Sequence, residues 1–236
     1  MKKNIPNYIT LLNLLCGILS IVSLYSGSVE WSVYFIVFAA IFDFMDGAVA
    51  RIFKLQSELG KQLDSLADVV SFGLAPGFIM FFLLKTSQPL PEIFFNGINL
   101  VPFIGFLVPL FSAWRLANFN IDVRQEEQFI GIPTPASALM IVALALINQN
   151  TFGSSSWMAE LTGNSYFLIS ATLILSILLV AEIPLLSLKF KNLKWNGNQK
   201  RFILIILSIA LIAVFQISAI PIIFLGYIII SLILKK

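Results

Sequence analysis

The chain has 236 residues, of which 58% are hydrophobic and 11% charged, and this ratio excludes an ordinary soluble domain. Its net charge of +3 does not indicate nucleic-acid binding, because the Lys and Arg residues lie between apolar blocks and form no continuous basic face. The sequence contains no histidine and a single cysteine, Cys16, so acid–base or metal chemistry has to depend on carboxylates.

The apolar blocks are long enough to cross a hydrocarbon core of about 30 Å, which takes roughly 20 helical residues. The sequence therefore predicts an all-α integral membrane protein with about eight transmembrane helices, at 7–26, 31–50, 63–84, 98–118, 134–149, 166–187, 202–218 and 220–234. We expect residues 1–187 to form a six-helix core that contains the active site. Residues 188–236 are expected to supply a cytosolic basic loop and a C-terminal helical hairpin.

The basic residues predict the orientation of these helices. If the amino terminus is cytosolic, fourteen of the fifteen Lys and Arg residues fall on the cytosolic side, and only Lys85 falls outside. This distribution agrees with the positive-inside rule. We expect a multi-pass protein of the cell membrane, with both termini and the active site in the cytosol.

Four of the five aspartates fall within 26 residues, at the expected cytosolic ends of the second and third helices: Asp43, Asp46, Asp64 and Asp68. Spacings of three and four residues place each pair on one helix face. A carboxylate in a transmembrane helix costs about 2.5 to 3.5 kcal/mol on insertion scales, so four together indicate a function. Mutual repulsion would be relieved by divalent cations or by protonation.

Oxygen ligands of this kind suit Mg²⁺ or Mn²⁺. Two such ions about 3.5 to 4 Å apart, bridged by carboxylates, form a known arrangement for attack at phosphorus. Next to the aspartates, Gly47 either leaves room for a ligand or allows close helix packing. Arg51 is either a phosphate clamp or a topology charge.

These positions form one pattern, D-x2-DG-x2-AR-x8-G-x3-D-x3-D, that runs from residue 43 to residue 68. The pattern resembles the signature of the CDP-alcohol phosphotransferase family, and all of its fixed positions are present. The resemblance implies a membrane enzyme that moves the substituted phosphate of a CDP-activated lipid to an alcohol, with release of CMP.

By this resemblance, Asp43, Asp46 and Asp64 would bind two divalent ions, Mg²⁺ or Mn²⁺. Asp68 would lie beside the second ion and act as the base for the acceptor hydroxyl. The family pattern also implies contacts to the CDP part of CDP-diacylglycerol from five residues: Gly47, Arg51, Ser57, Asn7 and Thr10. For Asn7, a helix cap at the membrane surface is the alternative. The resemblance also implies a homodimer.

The acceptor is indicated by shorter motifs. Stretches 5–10 (with Asn13 and Gly17), 71–76 and 129–136 resemble the phosphatidylserine-synthesising branch of the family, which predicts L-serine as acceptor. Arg115 and Arg124 are the candidates to meet the serine carboxylate, although plain inside-positive charge is an alternative role for Arg124.

Two alternatives stay open on the sequence. The acceptor could be glycerol 3-phosphate, an inositol phosphate or choline instead of serine. A cation transporter would also carry intramembrane carboxylates, but transporters usually place them near the bilayer midplane between inverted repeats, and the aspartate pattern occurs here once.

Overall fold

The computed structural model describes residues 4–122, 129–149, 156–185 and 199–233. Almost all of them are helical, and the expected all-α membrane fold with about eight helices is confirmed. In these ranges, five helical spans are long and apolar enough to cross a membrane, and two further apolar helices are shorter. Two long helices open the chain, α1 (Ile5–Tyr25) and α2 (Val29–Ile52). They pack against each other as an antiparallel pair joined by the tight turn at Gly27, whose φ is +85°.

The third membrane span runs from Glu58 to Thr86 without a break. It comprises α3 (Glu58–Asp68), a π-helical turn (Val69–Leu74) and α4 (Ala75–Thr86). The predicted start at residue 63 was too late, because Ser57 caps the helix: its Oγ accepts a hydrogen bond of 3.0 Å from the Gly60 N–H.

A β-hairpin separates this span from the fourth. Its strands β1 (Phe94–Phe95) and β2 (Ile98–Asn99) are antiparallel, and Asn96 and Gly97 between them have φ values of +46° and +79°. An Asn-Gly pair with both φ positive is typical of a two-residue hairpin turn. The prediction that a helix begins at residue 98 was therefore wrong. A 3₁₀ turn (Val101–Phe106) leads into α5 (Leu107–Ile121).

The rest of the core consists of α6 (Thr134–Asn148), α7 (Ser156–Thr162) and α8 (Ser165–Val180). The short helix α7 was not predicted. The prediction that the sixth span continues to residue 187 was wrong, because β4 (Pro184–Leu185) pairs with β3 (Phe129–Ile130). Proline lacks the N–H that a helix interior requires, so Pro184 is better placed in a short edge strand.

The chain ends in α9 (Gln199–Phe215), a 3₁₀ turn (Gln216–Ser218) and α10 (Ala219–Ile233). Gln216 has a φ of +50°, which interrupts the apolar run. Among the described residues, α10 and the 3₁₀ turn pack on α6, α10 also contacts β4, and Ile228 of α10 reaches the core.

The third span is the central element of the bundle. α4 packs against α1, α2, α6 and α8, and Ile79, Met80, Leu83 and Leu84 are buried in the core. Close approach of the 3₁₀ turn to α4 depends on Gly105, where an added Cβ would lie 2.6 Å from the Phe81 nitrogen. Small residues that let helix backbones approach are typical of membrane packing. The central span thus holds α3 and its aspartates in a fixed position against α1.

Candidate active site

The carboxylates of α2 and α3 converge at one end of the bundle. Asp43, Asp64 and Asp68 each offer one carboxylate oxygen, and these three oxygens all lie within 4.8 Å of one another. The residues are partly or fully buried, and Asp68 is only 7% exposed. Three carboxylates this close repel one another strongly unless a cation or protons neutralise them. This cluster can therefore hold a divalent cation.

Asp46 belongs to the same acidic site but has a different local partner. Its Oδ2 accepts a hydrogen bond of 2.5 Å from the Thr10 hydroxyl, and its charge is close enough to act on Asp43 and Asp64. Thr10 is 3% exposed and Asp46 is 5% exposed. The contact therefore fixes Asp46 against α1.

One observation tests whether the cluster fits a metal ion. The Oδ1 atom of Asp64 is buried and has no hydrogen-bond partner among the described residues. A buried carboxylate oxygen without a donor costs free energy, and a bound cation would satisfy it. The donor set also consists of oxygens alone, which suits Mg²⁺ or Mn²⁺. The residues thus fit the ion that the sequence predicts.

A second polar contact from α1 reaches the fourth aspartate. The Asn13 Nδ2 donates a hydrogen bond of 3.1 Å to the Asp68 Oδ1. Ser71, in the π-helical turn directly after α3, donates to the Asn13 carbonyl at 2.9 Å. Gly17 allows this approach, because an added Cβ would lie 2.8 Å from the Ser71 Cα. These contacts hold the π-helical turn, which begins directly after Asp68, against α1.

The residues predicted to contact the nucleotide line one cavity of about 550 Å³, namely Asn7, Thr10, Gly47, Arg51 and Ser57. Asp46, Asp64 and Lys61 also line it. Its volume lies within the range of about 300 to 1,000 Å³ that is typical of small-ligand sites. Arg51 and Lys61 therefore face the same cavity as the acidic site, and Glu58 lies in its lining as well.

Two of these residues have local roles as well. Asn7 lies inside α1, so the alternative that it caps the helix was wrong. Its Oδ1 would be 3.1 Å from a Cβ at Gly60, which places the side chain beside the start of α3. Ser57 faces the cavity while its hydroxyl caps α3.

Lys61 was not singled out by the sequence reasoning. Its Nζ donates a hydrogen bond of 3.0 Å to the Asn120 carbonyl, while Asn120 donates to the Ser65 hydroxyl at 2.8 Å. These contacts tie α3 to the end of α5. Asn13 was named in the sequence only as part of the branch motif and not given a role of its own. Polar side chains at positions 7, 10 and 13 of an apolar helix share one face, and that spacing is a usable signal.

The two acceptor candidates differ in position. Arg115 of α5 is 7% exposed, its charge interacts with that of Asp68, and its guanidinium carbon lies 5.7 Å from the centre of the Phe119 ring. Its Nε atom is buried and has no hydrogen-bond partner in the described part of the chain. Arg124 lies outside the described residues.

Comparison with known proteins adds the family. The family model for CDP-alcohol phosphatidyltransferase matches residues 3–178, which include both acidic helices and the cavity. The chain belongs to this family. Membership makes it a multi-pass membrane transferase and decides against the cation-transporter alternative.

Three curated relatives in this family are named CDP-diacylglycerol–serine O-phosphatidyltransferase. The protein of Helicobacter pylori is 33% identical over 221 residues, which cover 92% of this chain and 84% of the relative. That of Bacillus subtilis is 34% identical over 145 residues, which cover 60% of this chain and 75% of the relative. That of Methanocaldococcus jannaschii is 38% identical over 151 residues, which cover 64% of this chain and 65% of the relative.

Proposed function

We propose that this chain transfers the phosphatidyl group of CDP-diacylglycerol to the hydroxyl of L-serine and thereby forms phosphatidylserine and CMP. The observation that supports this most is the convergence of Asp43, Asp64 and Asp68 beside a cavity that Arg51 and Lys61 line. The names of the relatives support serine as the acceptor.

The four aspartates would hold two divalent ions, Mg²⁺ or Mn²⁺, with Asp43, Asp46 and Asp64 as the main ligands. When bound, such ions supply charge neutralisation for the diphosphate and for the CMP that leaves. The buried Oδ1 of Asp64 without a donor supports this assignment. Thr10 would keep Asp46 in place for it.

The nucleotide half of the donor would occupy the cavity, with Arg51 close to the phosphates and Gly47, Ser57, Asn7 and Thr10 around the rest. Their position on the wall of one cavity supports this assignment. Arg51 suits the diphosphate because a guanidinium donates two parallel hydrogen bonds to phosphate oxygens.

Asp68 would act as the base. The serine hydroxyl oxygen forms a bond to the phosphorus that carries diacylglycerol, and the bond from that phosphorus to CMP breaks. The hydroxyl proton passes to the Asp68 carboxylate. Since Asn13 donates to Oδ1 of Asp68, its Oδ2 is the oxygen that would accept the proton.

Arg115 would bind the serine carboxylate, because it is a buried cation of α5 whose Nε has no partner in the described ranges. Arg124 remains a second candidate from the sequence. A guanidinium held near the base orients an amino acid so that its hydroxyl faces Asp68.

The proposal extends to topology and assembly. The aspartates and both termini would face the cytosol, which the distribution of Lys and Arg supports. The family core would span residues 1–187, with 188–236 as an added basic loop and hairpin, and the family match over 3–178 supports this division. We also propose a homodimer, on the family resemblance, and cross-linking in native membranes would test it.

A direct assay tests the activity. Purified protein with CDP-diacylglycerol and Mg²⁺ or Mn²⁺ should release CMP when L-serine is added. Release only with glycerol 3-phosphate, an inositol phosphate or choline would contradict serine as the acceptor. Parallel reactions with each alcohol at the same concentration make this comparison decisive.

A further inference from the structure

The structure leaves a buried hydrogen-bond acceptor beside the proposed base. Asn13 is 0% exposed, and its Nδ2 donates to Asp68. Its Oδ1 is buried and has no hydrogen-bond partner among the described residues. The orientation of this amide is determined by its partner, because an ionised carboxylate only accepts hydrogen bonds and the NH₂ group must face it. The Asn13 Oδ1 is therefore the amide atom that has no hydrogen-bond partner among the described residues.

A buried amide oxygen without a donor destabilises the protein unless a donor is supplied when the site is in use. For the Asn13 Oδ1, the substrate is the expected source of this donor, because Asn13 already contacts Asp68, the proposed base. On the α5 side, Arg115 likewise has a buried Nε without a partner in the described part of the chain. Asn13 on α1 thus contacts Asp68 through its Nδ2 and leaves its Oδ1 unused, while Arg115 on α5 leaves its Nε unused, both among the described residues.

This arrangement is complementary to a zwitterion. Arg115 supplies positive charge for a carboxylate, and the Asn13 Oδ1 can accept from an ammonium group. Glycerol 3-phosphate and inositol phosphates have no ammonium donor, and a quaternary ammonium has no N–H to donate.

We propose that Asn13 is a specificity-determining residue, whose Oδ1 accepts a hydrogen bond from the α-ammonium group of the acceptor while its Nδ2 orients Asp68. The inference rests on the proposed function, because it assigns a contact to an amino acid acceptor. It adds a reason for the enzyme to select a hydroxy amino acid over a hydroxy acid that lacks the amine.

The test compares two acceptors in two proteins. L-Serine and 3-hydroxypropionate share the hydroxyl and the carboxylate, and only serine has the amine. A hydrogen bond to a charged group discriminates by about 10- to 100-fold. In the wild type, kcat/KM for serine should exceed that for 3-hydroxypropionate by at least this factor. In Asn13→Ala the ratio should fall about 10-fold or more, mainly through the KM for serine.

A merely structural role gives a different result. If Asn13 only orients Asp68, the substitution lowers kcat/KM equally for both acceptors, the ratio stays as in the wild type, and the inference is overturned. Ser20→Ala is the matched control, because Ser20 lies two turns along the same buried face of α1 and forms a hydrogen bond with Ser32 at 2.9 Å. This control should leave the ratio unchanged.

Two further measurements keep the outcomes distinct. Binding of CDP with Mn²⁺, followed by thermal shift, shows whether the Asn13→Ala variant is folded. If that variant does not purify, Asn13→Ser is used to measure the ratio of kcat/KM for serine to that for 3-hydroxypropionate. Failure of the proposed function has another signature: the wild type itself would show no CMP release that depends on serine.

Discussion

The α1–α3 region and the C-terminal hairpin α9–α10 both contain long apolar helical spans, yet they are held in different ways. In the first region, side chains on one helix bond to another helix, as Thr10 does to Asp46 and Asn13 does to Asp68. In the hairpin, the Ser208 hydroxyl donates to Leu204 of its own helix, and Ile206, Ile209 and Val214 are 60%, 62% and 72% exposed. Apolar length is enough to place a helix in the membrane, whereas a reaction centre needs polar contacts and close approach between helices.

The largest effect is expected at Asp68, the proposed base. Asp68→Asn should lower kcat by about 100- to 10,000-fold, the usual contribution of general base catalysis. The amide oxygen introduced there can still accept from Asn13, so binding of CDP with Mn²⁺ should persist. The assay is CMP release with saturating serine. Asp122→Asn, at the end of α5, is the control and should stay active.

Loss of one interhelical contact should have an intermediate effect. Thr10→Val keeps the shape of the side chain but removes the donor to Asp46. Hydrogen bonds to charged groups contribute about 1.5 to 3 kcal/mol, so the affinity for Mn²⁺ or for the donor should fall about 10-fold or more. Calorimetric titration measures it.

The matched control for that variant is Thr172→Val. Thr172 is equally buried, but its hydroxyl donates at 2.7 Å to Leu168 within α8. The affinity should be unchanged in this control. Equal losses in both variants would mean that Thr10 acts on stability in general and not on Asp46.

Close approach can be tested with two glycines. An added Cβ at Gly17 would meet the Ser71 Oγ at 2.6 Å, whereas a Cβ at Gly226 in α10 meets nothing within 4 Å. Gly17→Ala should lower stability by about 1 to 3 kcal/mol, as overpacking does. Gly226→Ala should be neutral or stabilising, because alanine is the better helix former. Thermal unfolding in detergent compares them, and an equal shift would contradict the difference between the two regions.

The smallest effect is expected on the exposed face of α9. Val214→Ala should change the melting temperature and the activity by little, because the side chain is 72% exposed within the chain. Ile79→Ala in α4 is the contrast, since burial is complete there and such deletions cost about 2 to 5 kcal/mol. A large loss from Val214→Ala would show that α9 is covered by a partner in the native assembly.

The sequence predicted the helices well because a membrane span needs about 20 apolar residues, whatever its neighbours are. It also led to the aspartates, since Asp43 and Asp46 share one helix face and Asp64 and Asp68 another. The exact helix ends were harder, because they depend on particular side chains such as the Ser57 cap.

Long-range contacts explain most of what the sequence did not predict. The pairing of β3 with β4 joins residues more than 50 positions apart, and nothing local specifies it. The contact of Asn13 with Asp68 likewise depends on how α1 crosses α3. The hairpin at Asn96-Gly97 was a local signal that could have been used. Arg51 and Lys61 could be assigned to one cavity only after the helices were assembled.

The central claim is that Asp43, Asp46, Asp64 and Asp68 hold divalent ions together in one site. Electron paramagnetic resonance of Mn²⁺ added to the purified full-length protein tests it most directly. We expect two Mn²⁺ ions per chain with a spin-coupled signal, which Asp64→Asn abolishes and Asp122→Asn leaves intact. Absence of bound Mn²⁺ in the wild type, or an undiminished coupled signal in Asp64→Asn, would contradict it.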